Sequence, residues 1–429
     1  MTIALIGFAV VFLLAFGGLP LAWAMLLVGI GGFAALRGVE PALSMLGQII
    51  VDSSANYGMS VLPMFILMGL FVHKADISND LYDAANAWLG HLKGGLAHAT
   101  VASCALFAAI SGSSIATVAT MSKVAIPPMR RLGYDDRLSS GSVASAGVLG
   151  VLIPPSVPLV IYGLLTETDI RKLFIATIVP GLLLTLLFIG AVWVTVTLNP
   201  KLGPAGPKLP LRERVRALRG VWSVIVLFVG VMGGLYGGVF TATESAGIGA
   251  FGAFAIALAR RRMSWRALID CLVETGKTTA MIFAIVFGAL AFAQFVTLSG
   301  MTGQLVGWIQ SQGFGALGVV LSMVVIYLVL GALMEAMGLM LLTVPIFTAV
   351  AVDVGINPIW FGIFVTMMIE VGMLTPPVGM NVFTLKTMVP SIPLPTIFRG
   401  VVPFLVANLL AIAALIAWPQ LALAPLRWF

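Results

Sequence analysis

One interrupted apolar pattern occurs twice in this chain, and it restricts the folds that the sequence can adopt. Residues 111–114 read Ser-Gly-Ser-Ser, and a Gly/Pro-rich stretch at 150–156 follows about forty positions later. A shift of 222 residues places Ser113 on Glu335, Gly150 on Gly372 and Pro154 on Pro376. Glycine and proline interrupt helices, and each copy lies in an apolar stretch long enough to sit within a bilayer. The sequence therefore predicts two related halves with interrupted membrane helices.

Composition indicates the broad class of protein. Hydrophobic residues make up 60% of the chain, charged residues only 9%, and the mean hydropathy is +1.11. A soluble domain with so few charges would aggregate, whereas recurring apolar runs of about 18 residues or more are typical of a polytopic helical membrane protein. No Lys or Arg precedes Arg37. Residues 3–17 therefore lack the positive region of a signal peptide and are predicted to stay as a membrane helix.

The net charge of +7 is concentrated in short segments between the apolar stretches. The basic residues cluster at 130–137, 201–219 and 260–266, and Lys93 precedes the first cluster. Such placement is typical of the cytoplasmic loops of membrane proteins. It predicts a membrane topology and argues against a nucleic-acid partner.

The first interrupted segment is too short for two full crossings. About 36 residues separate Lys93 from Arg130, and both ends are predicted to lie on the cytoplasmic side. Two complete spans of about 20 residues with a turn would barely fit. We therefore predict a re-entrant hairpin at about 94–129, with its tip at 111–114.

The equivalent hairpin of the second half enters from the other side. The shift places it at about 316–351 with its tip near Glu335. Its flanking loops, 299–315 and 352–358, contain no Lys or Arg, as expected for periplasmic loops. The two halves are therefore predicted to be related by inversion.

The remaining boundaries follow from the same pattern. The first repeat is predicted at 1–199, a Pro/Gly-rich cytoplasmic linker at 200–220 and the second repeat at 221–429. Full spans are expected at 3–17, 21–36, 57–73, 173–198, 221–239, 243–259, 277–298 and 399–424. Broken helices are expected at about 139–165 and 358–388, and amphipathic surface segments at 41–54 and 264–276.

Several ordered motifs resemble one known family. They are ISGSSIATVA at 110–119, LIPPS at 152–156, TATESAG at 241–247 and LTPPVGMN at 374–381. Together they resemble the large membrane subunit, the DctM family, of tripartite ATP-independent periplasmic (TRAP) transporters, along essentially the whole chain. One departure is Ser122-Lys123, where the family more often has Gly-Ser.

The resemblance implies a fold, a function and partners. It implies an all-α elevator-type transporter, similar to the ion-transporter superfamily, in the bacterial inner membrane. It also implies Na⁺-coupled uptake of a small organic acid. The substrate is expected to be delivered by a periplasmic solute-binding protein, and a small four-helix membrane subunit is expected as a separate partner.

The hairpin tips and the breaks are the candidate binding elements. A helix that ends within the membrane leaves free carbonyls, which suit Na⁺, and a helix that begins there leaves free amides, which suit a carboxylate. The predicted Na⁺-binding residues are Ser111, Gly112, Ser113, Gly150, Pro154, Glu335, Gly338, Gly372, Thr375 and Pro376. The predicted substrate-binding residues are Ser113, Ser114, Ser156 and Asn381.

Structural roles remain open for the same residues. Residues 111–114 can form a close helix contact, and the Gly150–Pro154 stretch a simple kink. Thr375 can bond a freed carbonyl, Asn381 can satisfy backbone groups, and Glu335 can cap a helix. Two further acidic residues lie in or beside apolar segments: Glu370, with a structural or a functional role, and Glu244, for which a capping role is favoured.

Other classes of function lack their signatures. No nucleophile–base pair or metal-ligand spacing indicates an enzyme, and no G-x-x-x-x-G-K-[ST] motif indicates an ATP-driven pump. Two inverted hairpins favour alternating access over a channel. The main alternative is a self-sufficient Na⁺/dicarboxylate symporter of the divalent-anion class, which would need no partner.

Overall fold

The chain is built from α-helices. The computed structural model describes residues 2–312 and 315–428, and every regular element in these ranges is helical. Eight helical segments of the described ranges are long and apolar enough to cross a membrane. The prediction of an all-α polytopic membrane protein is confirmed.

The helices of the first half are α1 (Thr2–Phe16), α2 (Leu21–Arg37), α3 (Val39–Ala55), α4 (Val61–Lys74), α5 (Ile77–Leu89), α6 (Gly95–Ser111), α7 (Ser114–Arg131), α8 (Asp136–Ala146), α9 (Leu149–Leu152), α10 (Val157–Thr166), α11 (Ile170–Ala176) and α12 (Ile178–Leu198). Those of the second half are α13 (Leu211–Phe228), α14 (Gly234–Tyr236), α15 (Ala242–Ala259), α16 (Trp265–Leu298), α17 (Met301–Ser311), α18 (Ala316–Gly331), α19 (Ala336–Asp353), α20 (Pro358–Leu374), α21 (Met380–Met388), α22 (Leu394–Ala417) and α23 (Gln420–Leu423).

The 222-residue shift relates helices as well as motifs. Helix α7 falls on α19 at both ends, and α2 falls on α15 to within one residue. The short helix α5, which the pattern analysis did not predict, falls on α17. Helix α5 is amphipathic and lies in the short stretch between the apolar span α4 and the first hairpin. A search for long apolar spans therefore did not detect it. The repeat therefore extends beyond the interrupted segments.

Two boundaries differ from the prediction. Helix α13 begins at Leu211, so the predicted linker 200–220 ends about ten residues early. Every proline of that linker lies at or before position 210, and Leu211, Val215 and Leu218 follow with helical spacing. The predicted surface segment 264–276 and span 277–298 form the single helix α16, since no proline separates them.

Small residues bring the long helices together. Gly29 of α2 faces the backbone of Ala291 in α16, and a Cβ there would lie 2.6 Å from the Ala291 carbonyl carbon. Gly141 of α8 and Gly400 of α22 are packed just as closely. Close backbone approach at glycine is a common way to pack membrane helices. We call α1–α4 and α13–α16 the flanking helices, and α6–α12 with α18–α22 the hairpin domain.

Candidate functional site

The first hairpin turns at a glycine that no other residue readily replaces. Helix α6 ends at Ser111, and Gly112 adopts the left-handed conformation with φ 62°. Ser113 then caps α7, its hydroxyl accepting a hydrogen bond from the amide of Ala116 at 3.3 Å. The predicted tip is therefore a true break between two helices.

The first broken helix is interrupted opposite that tip. It stops after α9, passes through the cis Pro154–Pro155 bond and restarts at α10. Ser156 caps α10 by accepting from the amide of Leu159 at 3.4 Å, and its side chain is fully buried. The geometry of Ser156 is thus that of a helix cap.

Tip and break meet through their glycines. A Cβ at Gly112 would lie 2.9 Å from the Pro155 carbonyl oxygen. A Cβ at Gly150 would lie 2.8 Å from the Ser113 carbonyl oxygen and 2.9 Å from Thr117 Oγ1. The backbones of tip and break can touch only because both positions lack a side chain.

Neutral oxygen atoms gather at this contact. Thr117 Oγ1 donates to the Ser113 carbonyl at 2.7 Å and lies 2.9 Å from Ser111 Oγ. Thr117 was not predicted, although it lies one helical turn after Ser113 on the same face. Uncharged oxygens of this kind fit a monovalent hard cation, and the described residues hold no cluster of His, Cys, Asp or Glu that would favour a divalent metal.

The second tip has the same layout with different side chains. Glu335 caps α19, and its carboxylate accepts from the amide of Gly338 at 3.0 Å. The Ala332 carbonyl accepts from the amide of Val378 in the second break at 3.3 Å. Glu335 therefore has the geometry of the capping alternative, and the second tip also touches its own break.

The second break is closely packed against α18. A Cβ at Gly372 would lie 2.6 Å from the Cα of Gly331, which brings two backbones into contact. Thr375 donates to the carbonyl of Val371 in its own helix at 2.7 Å. The chain then passes through the cis Pro376–Pro377 bond to α21.

A buried hydrogen bond joins the two halves. Ser114 Oγ donates to Asn381 Oδ1 at 2.7 Å, and Asn381 Nδ2 donates to the carbonyl of Ala144 at 3.1 Å. The Asn381 side chain is fully buried. Both ends of its amide are therefore bonded within the protein, so Asn381 connects α7, α8 and α21.

Both tips face one cavity of about 550 Å³ between the hairpin domain and the flanking helices. The predicted residues on its wall are Ser111, Gly112, Ser113, Ser114 and Glu335. The predicted residues that do not line this cavity are Gly150, Pro154, Ser156, Gly338, Gly372, Thr375, Pro376 and Asn381. The opposite wall carries residues that were not predicted, namely His73 of α4 and Glu274 and Thr278 of α16.

Two acidic residues have clear surroundings. Glu244 forms a capping box with Thr241, accepting from the amide and hydroxyl of Thr241 at 2.8 and 2.9 Å, so the favoured capping role is confirmed. Glu370 is fully buried in α20, and neither of its carboxyl oxygens has a hydrogen-bond partner among the described residues.

Fold and site together define a polytopic membrane permease with two helical hairpins facing a shared cavity. Residues 8–421 match the model of the tripartite ATP-independent periplasmic transporter, DctM component, and the chain belongs to this family. It is 37% identical over 381 residues to the C4-dicarboxylate TRAP transporter large permease protein DctM of Pseudomonas aeruginosa, covering 88% of each chain. It is a multi-pass protein of the bacterial inner membrane.

Two further proteins resemble this chain, one in sequence and one in fold. The sialic acid TRAP transporter large permease protein SiaM of Vibrio cholerae is 30% identical over 412 residues, which covers 96% of this chain and 95% of SiaM. The YdaH transporter of Alcanivorax borkumensis has a crystal structure that matches 89% of each chain with a TM-score of 0.63. Its sequence identity of 16% supports a shared fold only.

Proposed function

We propose that this permease takes up a small organic acid together with Na⁺, by moving the hairpin domain past the flanking helices. The observation that carries the proposal is the convergence of both hairpin tips on one cavity. Helix ends at membrane depth are stable only where they are buried in protein or line a wet cavity. Here they do both.

The first tip and its break form the better-defined cation site. The Thr117 hydroxyl lies within hydrogen-bonding distance of both the Ser113 carbonyl and the Ser111 hydroxyl. These groups supply negative dipoles without a formal charge, which favours Na⁺ over a divalent ion. At the second tip, the backbone groups of Ala332, Gly372 and Thr375, rather than the Thr375 hydroxyl, form the equivalent candidate.

The organic acid is proposed to bind at the cavity side of the first tip. Ser113 and Ser114 line the cavity, and most of the surrounding wall is apolar, with side chains such as Phe107, Val157 and Met373. Few polar groups in a mostly apolar cavity are typical of a small-molecule site. A carboxylate at this tip would lie beside the start of α7.

The hairpin domain is suited to move as one body. Its two halves are joined by the Ser114–Asn381 bond, by Tyr162 Oη donating to the Pro358 carbonyl at 2.6 Å, and by Arg130 donating to Ser391 Oγ at 3.0 Å. These bonds cross from one repeat to the other. A domain held together in this way favours rigid movement over independent opening of each hairpin.

Two partners complete the proposed system. A periplasmic solute-binding protein delivers the acid, and a small four-helix membrane subunit attaches to the flanking helices near 21–36 or 221–259. Large apolar side chains project from this surface, with Trp222 61% and Phe251 72% exposed. The basic segments at 130–137, 201–219 and 260–266 support a cytoplasmic position for their loops.

Uptake in proteoliposomes tests the proposal. The permease, the small subunit and a loaded binding protein should accumulate substrate with an inward Na⁺ gradient and should stop when K⁺ replaces Na⁺. The permease alone should transport little. Equal uptake on a proton gradient without Na⁺ would refute sodium coupling, and strong Na⁺-driven uptake by the chain alone would favour the self-sufficient symporter.

A further inference from the structure

A row of exposed arginines lies at the start of α13. Arg212, Arg216 and Arg219 are spaced by four and three residues, which places them on one face of the helix. All three are exposed, and none forms an ion pair with a residue that the structure describes. Glu213, the one acidic residue of α13, is not paired with them either. The arginine row is therefore a concentration of positive charge without a charged partner in the described chain.

An apolar stripe runs beside the arginine row. Leu211, Val215 and Leu218 each come one residue before an arginine, so the stripe lies about 100° around the helix from the row. The side chains of the stripe are exposed, that of Leu211 by 68%. A basic face next to an apolar face is typical of helical segments that lie at a membrane surface.

The length of the helix places the arginine row at the level of the lipid headgroups. The helical segment Leu211–Tyr236 has 26 residues and spans about 39 Å, whereas the hydrocarbon core is about 30 Å thick. The charged first turns are the part that lies outside the core, because arginine side chains are costly to bury in it. The row therefore faces the layer in which lipid phosphates lie.

A second group of arginines is attached to the end of the row. Arg260, in the turn between α15 and α16, donates to the carbonyl of Gly220 at 3.1 Å and to Ser223 Oγ at 2.8 Å. These bonds hold the turn against α13 directly after Arg219. Arg261 follows in this turn, is exposed, and has no ion pair among the described residues. Like charges gathered in this way repel one another, and an anion between them would lower their energy.

We propose that the arginine row binds the phosphate group of an anionic phospholipid, whose acyl chains lie along the apolar stripe. Guanidinium groups bind phosphate through paired hydrogen bonds, and basic clusters at the cytoplasmic ends of membrane helices attract anionic lipids. A free phosphate ion would satisfy the arginines but would leave the apolar stripe unused. The stripe therefore favours a lipid over a soluble anion.

A lipid at this position would anchor the helix that supports the connection between the two parts of the protein. Helix α5 joins α4 to the first hairpin and packs on both α13 and α6. Arg260 pairs with Asp80 of α5, so the turn beside the arginine row also holds α5. The bound lipid is expected to fix the cytoplasmic end of α13, whichever substrate the permease carries.

Lipid binding by the purified permease in detergent tests the proposal. Native mass spectrometry should show that the first phosphatidylglycerol binds about tenfold or more tighter than phosphatidylcholine with the same acyl chains, since each basic residue adds to the attraction. Arg212→Gln, Arg216→Gln and Arg219→Gln combined should bring this preference below about threefold. Changing the same three residues to lysine should keep at least half of it, because the charge remains and only the paired hydrogen bonds are lost.

The matched control removes three exposed cations from other basic segments, by Arg131→Gln, Lys201→Gln and Lys208→Gln combined. It has the same net charge as the glutamine variant of the row and should keep the wild-type preference. Thermal unfolding without added lipid should match the wild type in both, which separates lost binding from lost folding.

Three results would overturn the proposal. They are an unchanged preference in the glutamine variant of the row, an equal loss in the control, and displacement of the lipid by glycerol phosphate at equal concentration. If the glutamine variant instead lost the co-purified small subunit and kept its lipid preference, the row would be a subunit contact.

Discussion

The two hairpins share a backbone layout and differ in their side chains. Ser113 and Ser114 of the first tip correspond to Glu335 and Ala336 of the second. The partner of Ser114, Asn381, corresponds by the same shift to Leu159. The polar link of one hairpin therefore has an apolar equivalent in the other. The repeat preserves where helices break, while the chemistry at each break has diverged.

This difference indicates that the two hairpin tips have different roles. Helix α7 packs on α21, and α19 packs on α10. Each hairpin therefore contacts the helix that follows the break in the other half. The first contact contains a buried hydrogen bond from Ser114 to Asn381, and the shift places Ala336 and Leu159 at the equivalent positions of the second. We expect the first tip to provide polar contacts to ion and substrate, and the second tip to contribute mainly backbone and apolar surface.

Adding a methyl group where tip meets break should have the largest effect. Gly150→Ala would push its Cβ against the Ser113 carbonyl and Thr117, and Gly372→Ala would do so against Gly331. Such overpacking costs about 1–3 kcal/mol, so uptake should fall about tenfold or more in both halves. Gly190→Ala is the control, since a Cβ there meets nothing within 4 Å. Normal uptake in Gly150→Ala would mean that tip and break separate freely.

Removing the buried link should have the next largest effect. Asn381→Leu copies the residue of the other half and leaves Ser114 Oγ and the Ala144 carbonyl without a partner. The expected loss of stability is about 1–3 kcal/mol, measured as a lower thermal unfolding midpoint. Adding Ser114→Ala should cost less than the sum of the two single changes, because the partners interact. Additive effects would contradict a direct coupling.

The caps of the two tips should respond differently to Na⁺. Ser113→Ala removes a cap worth about 1 kcal/mol beside the proposed cation site, so the Na⁺ concentration for half-maximal uptake should rise several-fold. Glu335→Gln keeps an oxygen that can accept from Gly338 and should leave this concentration nearly unchanged. A large rise in Glu335→Gln would instead make that carboxylate an ion ligand.

Thr375→Val should have the smallest effect. The Thr375 hydroxyl is bonded to the Val371 carbonyl in its own helix, and Thr375 does not line the cavity. Valine keeps the shape, so uptake should stay within about twofold and the Na⁺ response should shift only slightly. A shift as large as that of Ser113→Ala would make the two tips equivalent as ion sites.

The tips and breaks were predictable because their signals are local. Gly112 and the Pro154–Pro155 and Pro376–Pro377 pairs interrupt helices wherever they occur, and the 222-residue shift marked the paired positions. The cavity wall formed by His73 and Glu274 depends on long-range packing, which leaves no trace in the local pattern.

Bonds between distant residues were equally hidden. Ser114 and Asn381 are 267 positions apart, and each alone resembles any polar residue near a helix break. The continuous helix α16 was missed for a different reason. Its charged first turns resembled a surface segment, although nothing in them stops a helix.

The length of α16 has a mechanical consequence. Its 34 residues span about 51 Å, whereas the hydrocarbon core of a bilayer is about 30 Å thick. The corresponding stretch of the first half is divided between α3 and α4 at Asn56. A rod longer than the membrane must tilt, or it must carry its first turns out to the headgroups, where Trp265 is 77% exposed. We therefore expect the first turns of α16 to lie among the headgroups, and we expect membranes of different thickness to change the tilt of α16 and, with it, the width of the cavity beside Glu274.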